Sequence, residues 1–209
     1  MVTPPCVFGV LLYDYVSSLD FMGPLAFINN VPGIEILLIH DTMSPILSGT
    51  PEGLPGGPFA GPTLLPSCTL ESAPRLDALL IPGGSGSFTM NLDSKWTDFI
   101  AKVSPDLQYL LTVCNGTVLL AKAGVLDGKR ATTNKAVFSW VESHSSKVEW
   151  VRDARWVVDG KFWTSSGVEA GTDMGYAFVA SVFGEPIASE ITTMLEYSPN
   201  KDPSFDPFA

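Results

Sequence analysis

Four short apolar runs, separated by amphipathic stretches, constrain this chain more than any other feature. They are CVFGVLLY (6–13), IEILLIH (34–40), LDALLI (76–81) and LQYLLTV (107–113). Runs of this length, rich in Val, Ile and Leu and alternating with helical patterns, are the signature of an α/β fold. The first helix is predicted over LDFMGPLAFINN, with Ser17 or Ser18 as its cap and Asp20 in its first turn. Pro24 is expected to kink that helix or tighten its first half. Further helices are predicted near 94–103 (capped by Ser94), after Cys114 as far as Gly124, over 134–143, over 168–183 and near 187–196. Strands are expected at 148–151 and 155–164, the second turning at Asp159-Gly160. Ser166 and Glu169 have the spacing of a capping box for the 168–183 helix.

Residues 42–66 break this rhythm. The stretch is dense in Pro and Gly, includes PEGLPGGPFAGP, and lies between two core strands. It reads as an inserted flap or hairpin rather than a linker, so residues 1–209 are taken as one domain with a polar tail over 198–209. No internal repeat is visible.

Charge and cysteine usage narrow the function classes. The formal charge is −10, and the twelve basic residues are scattered. Nucleic acid and anionic lipid, which call for clustered Lys and Arg, are disfavoured as partners, and a small-molecule substrate fits better. No apolar run reaches the roughly 18–20 residues of a membrane span. Cys6, Cys68 and Cys114 are odd in number, irregularly spaced and without a CxxC pair. That supports reduced thiols in a cytoplasmic protein, with neither a disulfide framework nor a metal site.

The chemistry points to Cys114. An apolar strand runs into Cys114-Asn115-Gly116 and then into a helix. This is the pattern of a nucleophile elbow, a tight turn that projects a reactive side chain above a sheet. A helix N-terminus beside the sulfur is expected to favour thiolate. Gly83 and Gly84 close the LDALLI strand, and their backbone N–H groups, with that of Asn115, are candidate donors to developing negative charge. Asp20 follows the first strand and is expected on the same face of the sheet, where a buried carboxyl would have a raised pKa and move protons. His40 ends a strand on that side, and His144 ends a helix; both are weaker candidates.

Taken together, LDFMGP (19–24), LLIPGGSG (79–86), LLTVCNGTVLLAKAGVLDGKRATT (110–133) and SSGVEAGTDMGYAFV (165–179) resemble the ThiJ/PfpI superfamily, the class I glutamine amidotransferase-like fold. The similarity is greatest to the branch of isocyanide hydratase and its fungal relatives. It implies a flavodoxin-like three-layer sandwich, mostly parallel, assembled as a homodimer and needing no cofactor. It also implies Cys114 as nucleophile on an isocyanide carbon, Asp20 as proton carrier, and Gly84 and Asn115 as charge-stabilising donors. Gly83, Asn134 and His40 would be pocket contacts. The chain departs from the hydratase pattern in having Asn115 where a threonine follows the cysteine, and Asn134 where ATTHW places a histidine. Three other readings stay open: a lyase or isomerase of fungal-type secondary metabolism, a glyoxalase-like enzyme of 2-oxoaldehydes, and a non-enzymatic cysteine redox sensor or chaperone.

Overall fold

The computed structural model describes residues 5–54, 57–90 and 93–209. In chain order these form β1 (Val7–Leu11), α1 (Ser18–Ile28), β2 (Glu35–His40), β3 (Ile46–Thr50), β4 (Phe59–Leu64) and β5 (Cys68–Thr69). There follow β6 (Ala78–Ile81), α2 (Ser87–Met90), α3 (Ser94–Val103), β7 (Tyr109–Thr112), α4 (Thr117–Lys122) and β8 (Arg130–Ala131). The remainder is α5 (Phe138–Glu142), β9 (Glu149–Trp150), β10 (Trp156–Asp159), β11 (Phe162–Ser165), α6 (Val168–Phe183) and α7 (Glu185–Leu195).

The main sheet has the order β10-β11-β7-β6-β1-β2-β5 and is parallel except for the β10–β11 hairpin. Helices α1, α6 and α7 pack together in one layer and α3, α4 and α5 in another, giving a flavodoxin-like three-layer sandwich. All four residues of β6 are buried, as are four of five in β1. Their uniformly apolar sequences therefore suit strands covered on both faces. From β1 the chain adds β2 on one side and then returns to place β6 on the other. This reversal makes a switch point at β1/β6, and the crevice at the carboxyl ends of the strands there is where ligands gather in open α/β sheets.

Two glycine contacts hold the α1–α6 layer close. A Cβ at Gly23 would come within 2.2 Å of Thr172 Oγ1, and one at Gly175 within 2.6 Å of Pro24 Cα. Pro24 thus sits inside a continuous helix against the backbone of its neighbour. Phe178 of α6 meets Phe8, Tyr109 and Trp163 edge-on at centroid distances of 6.0, 5.1 and 5.4 Å, anchoring that layer to the sheet.

Several local expectations are corrected. Asp93, not Ser94, caps α3, its carboxylate accepting from the Lys95 N–H at 3.1 Å. The Ser166–Glu169 capping box does not form, because Gly167 occupies the cap position of α6. The 134–143 helix is split into a 3-10 turn, Lys135–Val137, and α5. Ser17 does cap α1 by position, but its hydroxyl donates to Asp20 Oδ1 at 3.0 Å instead of serving the helix backbone.

Within the Pro/Gly-rich stretch, β3 and β4 pair antiparallel outside the main sheet; Pro55 and Gly56 lie outside the described residues. The pair docks on the loop after β1 through the bridge Val16↔Ser48, and Val16 also bridges Gly84. The tail returns to the sheet edge, where the Arg155 N–H donates to Pro203 O and the Asp206 N–H to Asp153 O, both at 2.8 Å.

Candidate active site

The site forms where β1, β6 and β7 end. Val113 is extended, and the next residue, Cys114, turns abruptly with φ of +58°. This left-handed conformation is strained for any residue with a Cβ, so surrounding bonds must impose it. They do so on both sides of the peptide: Cys114 N–H donates to Ser166 O at 2.7 Å, and Thr133 Oγ1 donates to Cys114 O at 2.8 Å. Gly116 allows the chain after the elbow to lie against the PGG turn, since a Cβ there would meet Pro82 O at 2.5 Å. The expected nucleophile elbow is the geometry found.

Asp20, in the first turn of α1, lies beside the sulfur. Its carboxylate accepts hydrogen bonds from the Cys114 thiol, from Ser17 Oγ at 3.0 Å and from the Gly83 N–H at 3.0 Å. It is fully buried, and burial raises its pKa to about 6 against the lowering effect of those bonds. Gly83 is glycine for a steric reason. A Cβ there would stand 2.4 Å from Asn115 Oδ1 and 2.8 Å from both Asp20 Oδ2 and Cys114 Cβ.

The expected lowering of the cysteine pKa is overturned. Burial, and then the charge of Asp20, push the Cys114 thiol well above its ordinary value. The Asn115 backbone N–H and the Asn134 side chain hydrogen-bond the sulfur and pull the other way, but do not prevail. The helix that was to favour thiolate has only six residues behind a 3-10 turn, too short for a strong dipole. The resting pair is therefore a thiol donating to a carboxylate, ready to hand its proton over.

The candidate charge-stabilising donors are also rearranged. Gly84 N–H is occupied, donating to Asn115 Oδ1 at 2.8 Å, and Asn115 Nδ2 donates back to Gly84 O at 3.2 Å. Gly83 N–H is held by Asp20. Of the three backbone donors considered, that of Asn115 faces the sulfur. Asn134 joins the site, contacting Cys114 while its Oδ1 accepts from Ala136 N–H at 3.0 Å.

His40 does not join it. Its Nδ1 lies 2.9 Å from Leu12 O, its Nε2 lies 2.8 Å from Asp41 Oδ1, and its ring rests 5.8 Å from Trp96. It is a buried structural histidine with both nitrogens occupied. His144 bonds Trp140 O at 2.7 Å at the end of α5.

Reasoning from sequence missed Ser17, Thr133 and Tyr13. Tyr13 donates to Pro82 O at 2.8 Å, and its hydroxyl pKa is raised by burial, then by the charges of Asp20 and Cys114. Thr133 and Tyr13 have no sequence signature and Ser17 has only that of a helix cap, because each serves the site through a contact made only in the fold. The same is true of the buried Arg155–Asp173 pair behind the elbow, bonded at 2.9 and 2.6 Å.

Comparison with known proteins agrees with this fold. The model of the DJ-1/PfpI family matches residues 8–181. The isonitrile hydratase of Pseudomonas putida is 32% identical over 198 residues, covering 95% of this chain and 80% of that protein. A deglycase of Pyrococcus horikoshii is 35% identical over 96 residues, 46% of this chain and 55% of its own. Among solved structures, a ThiJ/PfpI family protein from Pseudomonas syringae has a TM-score of 0.77 at 27% identity, covering 93% of this chain and 76% of that one. Drosophila melanogaster DJ-1beta has a TM-score of 0.75 at 19% identity, over 92% and 98% of the two chains; this second likeness speaks for the fold alone.

Proposed function

This chain belongs to the DJ-1/PfpI family, and from that premise we propose that it is a cofactor-independent hydratase of isocyanides, yielding N-substituted formamides. The observation that carries the reading is the Cys114 thiol bonded to the Asp20 carboxylate while the N–H groups of Gly83 and Gly84 are occupied. Such a site can move a proton to and from sulfur but offers little to an oxyanion. An isocyanide asks for that combination, because its terminal carbon takes up both a nucleophile and a proton. The similarity to the Pseudomonas putida hydratase supports the same reading.

In the proposed sequence, Asp20 takes the S–H proton as Sγ bonds to the isocyanide carbon, and returns it to that carbon. The product is a neutral thioimidate. Water then adds to the same carbon, its oxygen forming the new C–O bond while one proton passes by way of Asp20 to the nitrogen. The adduct collapses to the formamide as the C–S bond breaks and the hydroxyl proton returns to sulfur. One water is consumed, and the enzyme regains its thiol. An Asp20 pKa of about 6 suits this traffic, since a general acid–base works best near the ambient pH.

The test is formamide production from an aryl isocyanide by wild type, Cys114→Ala and Asp20→Asn. Turnover by wild type, abolished by Cys114→Ala and reduced by about 10²-fold or more in Asp20→Asn, is expected. A folded wild type that makes no formamide, or that turns over methylglyoxal instead, overturns the reading.

A further inference from the structure

Two hydrogen-bonded arms impose the left-handed turn at Cys114. One runs from Cys114 O to Thr133 Oγ1. The other runs from the Cys114 N–H to Ser166 O, and from the Ser166 N–H to Arg155 O at 2.9 Å. The arms are rooted in separate segments, and a single ammonium joins them. Lys135 Nζ donates to Thr132 Oγ1 at 2.8 Å, to Thr133 O at 3.4 Å and to Ala154 O at 2.7 Å. Between Thr133 and Lys135 stands Asn134, whose side chain bonds the sulfur. One cation therefore ties the residue that holds the elbow carbonyl, and the residue that bonds Sγ, to the neighbour of Arg155, which anchors the elbow N–H.

The three acceptors are neutral oxygens, and Nζ lies 5.5 Å from the centre of the Phe138 ring. Burial in this setting lowers the Lys135 pKa to about 8. The charges that face it are Asp206 of the tail and Asp153, which raise that value, and Arg152, which lowers it. Asp206 is itself buried, and its N–H donates to Asp153 O at 2.8 Å. Three acceptors need three donors, which an ammonium supplies. A neutral amine has two N–H bonds and would turn its lone pair toward the third oxygen.

We propose that Lys135 is a positioning residue for Cys114, its charged ammonium clamping the segment 132–134 to Ala154 and so fixing both the elbow and the Asn134 amide against the sulfur. The inference rests on Cys114 being the reactive group of the hydratase reading above, and the clamp itself touches no substrate. Loss of the Lys135 proton removes one donor, so turnover should fall as pH rises through about 8, a limb separate from that of Asp20.

The test compares wild type with Lys135→Met, Lys135→Arg and Asp206→Asn. Formamide production is followed against pH, and alkylation of Cys114 by iodoacetamide is followed by peptide mass, which separates it from Cys6 and Cys68. Lys135→Met should lower kcat about tenfold or more with little change in KM. It should also slow Cys114 alkylation severalfold, because the Asn134 bond to sulfur loosens. Lys135→Arg, whose guanidinium stays charged, should recover most of the rate and hold it where wild type declines. Asp206→Asn removes a charge that raises the Lys135 pKa, so the decline should move to lower pH. A general loss of stability would lower the rate at every pH and leave the limb in place. An alkaline limb that is absent from wild type, or unmoved in both Lys135→Arg and Asp206→Asn, overturns the proposal, and these two variants decide it should Lys135→Met not fold. If wild type makes no formamide, the hydratase reading fails by itself, and alkylation at a pH of about 8 judges the clamp. Slower alkylation in Lys135→Met or Asp206→Asn than in wild type and Lys135→Arg supports it; equal rates overturn it.

Discussion

Asn115 grips Gly84 at both ends of one residue, its Oδ1 accepting from the Gly84 N–H at 2.8 Å and its Nδ2 donating to the Gly84 carbonyl at 3.2 Å. The residue following the nucleophile thereby fixes the PGG turn and occupies a donor that the turn would otherwise present to substrate. Asn115→Ala leaves both Gly84 groups without that partner, which should destabilise the fold by about 1–3 kcal/mol in urea denaturation. It also releases the Gly84 N–H. Hydrolysis of an activated ester should therefore rise relative to isocyanide turnover in this variant, a ratio readable in parallel assays.

Asp20 should leave its mark on both activity and stability. Its folded pKa of about 6 lies above the ordinary aspartate value, so the folded state holds a proton more tightly than the unfolded chain. Stability from this group is therefore fully present below about pH 4 and is lost as pH rises toward 6, amounting to roughly 2–3 kcal/mol across the window. Asp20→Asn should flatten that part of the stability–pH curve. In wild type kcat/KM should rise with pH through about 6, as the carboxylate that accepts the thiol proton forms, and Asp20→Asn should lack this limb.

The elbow stores strain at Cys114, whose φ is +58°. Glycine in place of alanine ordinarily costs about 0.5–1 kcal/mol through backbone entropy, but a Cβ in the left-handed region costs about 1–2 kcal/mol. Cys114→Gly should thus be at least as stable as Cys114→Ala in thermal denaturation, the reverse of the usual order. Both should be inactive.

Asn134 pulls the thiol pKa downward through its hydrogen bond to sulfur. Asn134→Ala should raise the apparent pKa of Cys114 further, seen as slower iodoacetamide alkylation at a fixed pH. Because Asn134 also caps the turn Lys135–Val137, the substitution should cost about 1 kcal/mol of stability.

Arg155 and Asp173 are both buried, and Asp173 Oδ1 also accepts from Tyr197 OH at 2.8 Å and from the Asn200 N–H at 3.0 Å. Removing one partner strands the other's charge. Asp173→Ala should destabilise the protein by about 3–5 kcal/mol, and should release the segment after Tyr197 to limited proteolysis before global unfolding.

Much of this molecule is legible along the chain. The apolar runs of β1, β2, β6 and β7 and the helical patterns between them dictate an α/β sandwich, since each pattern is set by which faces must leave water. Cys114 is readable as the reactive residue for a similar reason, because strand, cysteine, Asn-Gly and helix follow one another locally. The ends of helices are less legible: Asp93 and Gly167 displace the expected caps because a neighbouring residue can serve a helix end equally well. Which groups meet is written in no local pattern. Asp20 reaches Cys114 across 94 positions of sequence, as the numbering shows, and the burial of Cys114, with the charge of Asp20 behind it, turns the expected thiolate into a thiol. His40 is drawn away to Leu12 and Asp41, and Asn115 takes the Gly84 N–H. Proton affinity and donor availability depend on distance and desolvation between residues far apart in the chain, and only the fold sets those.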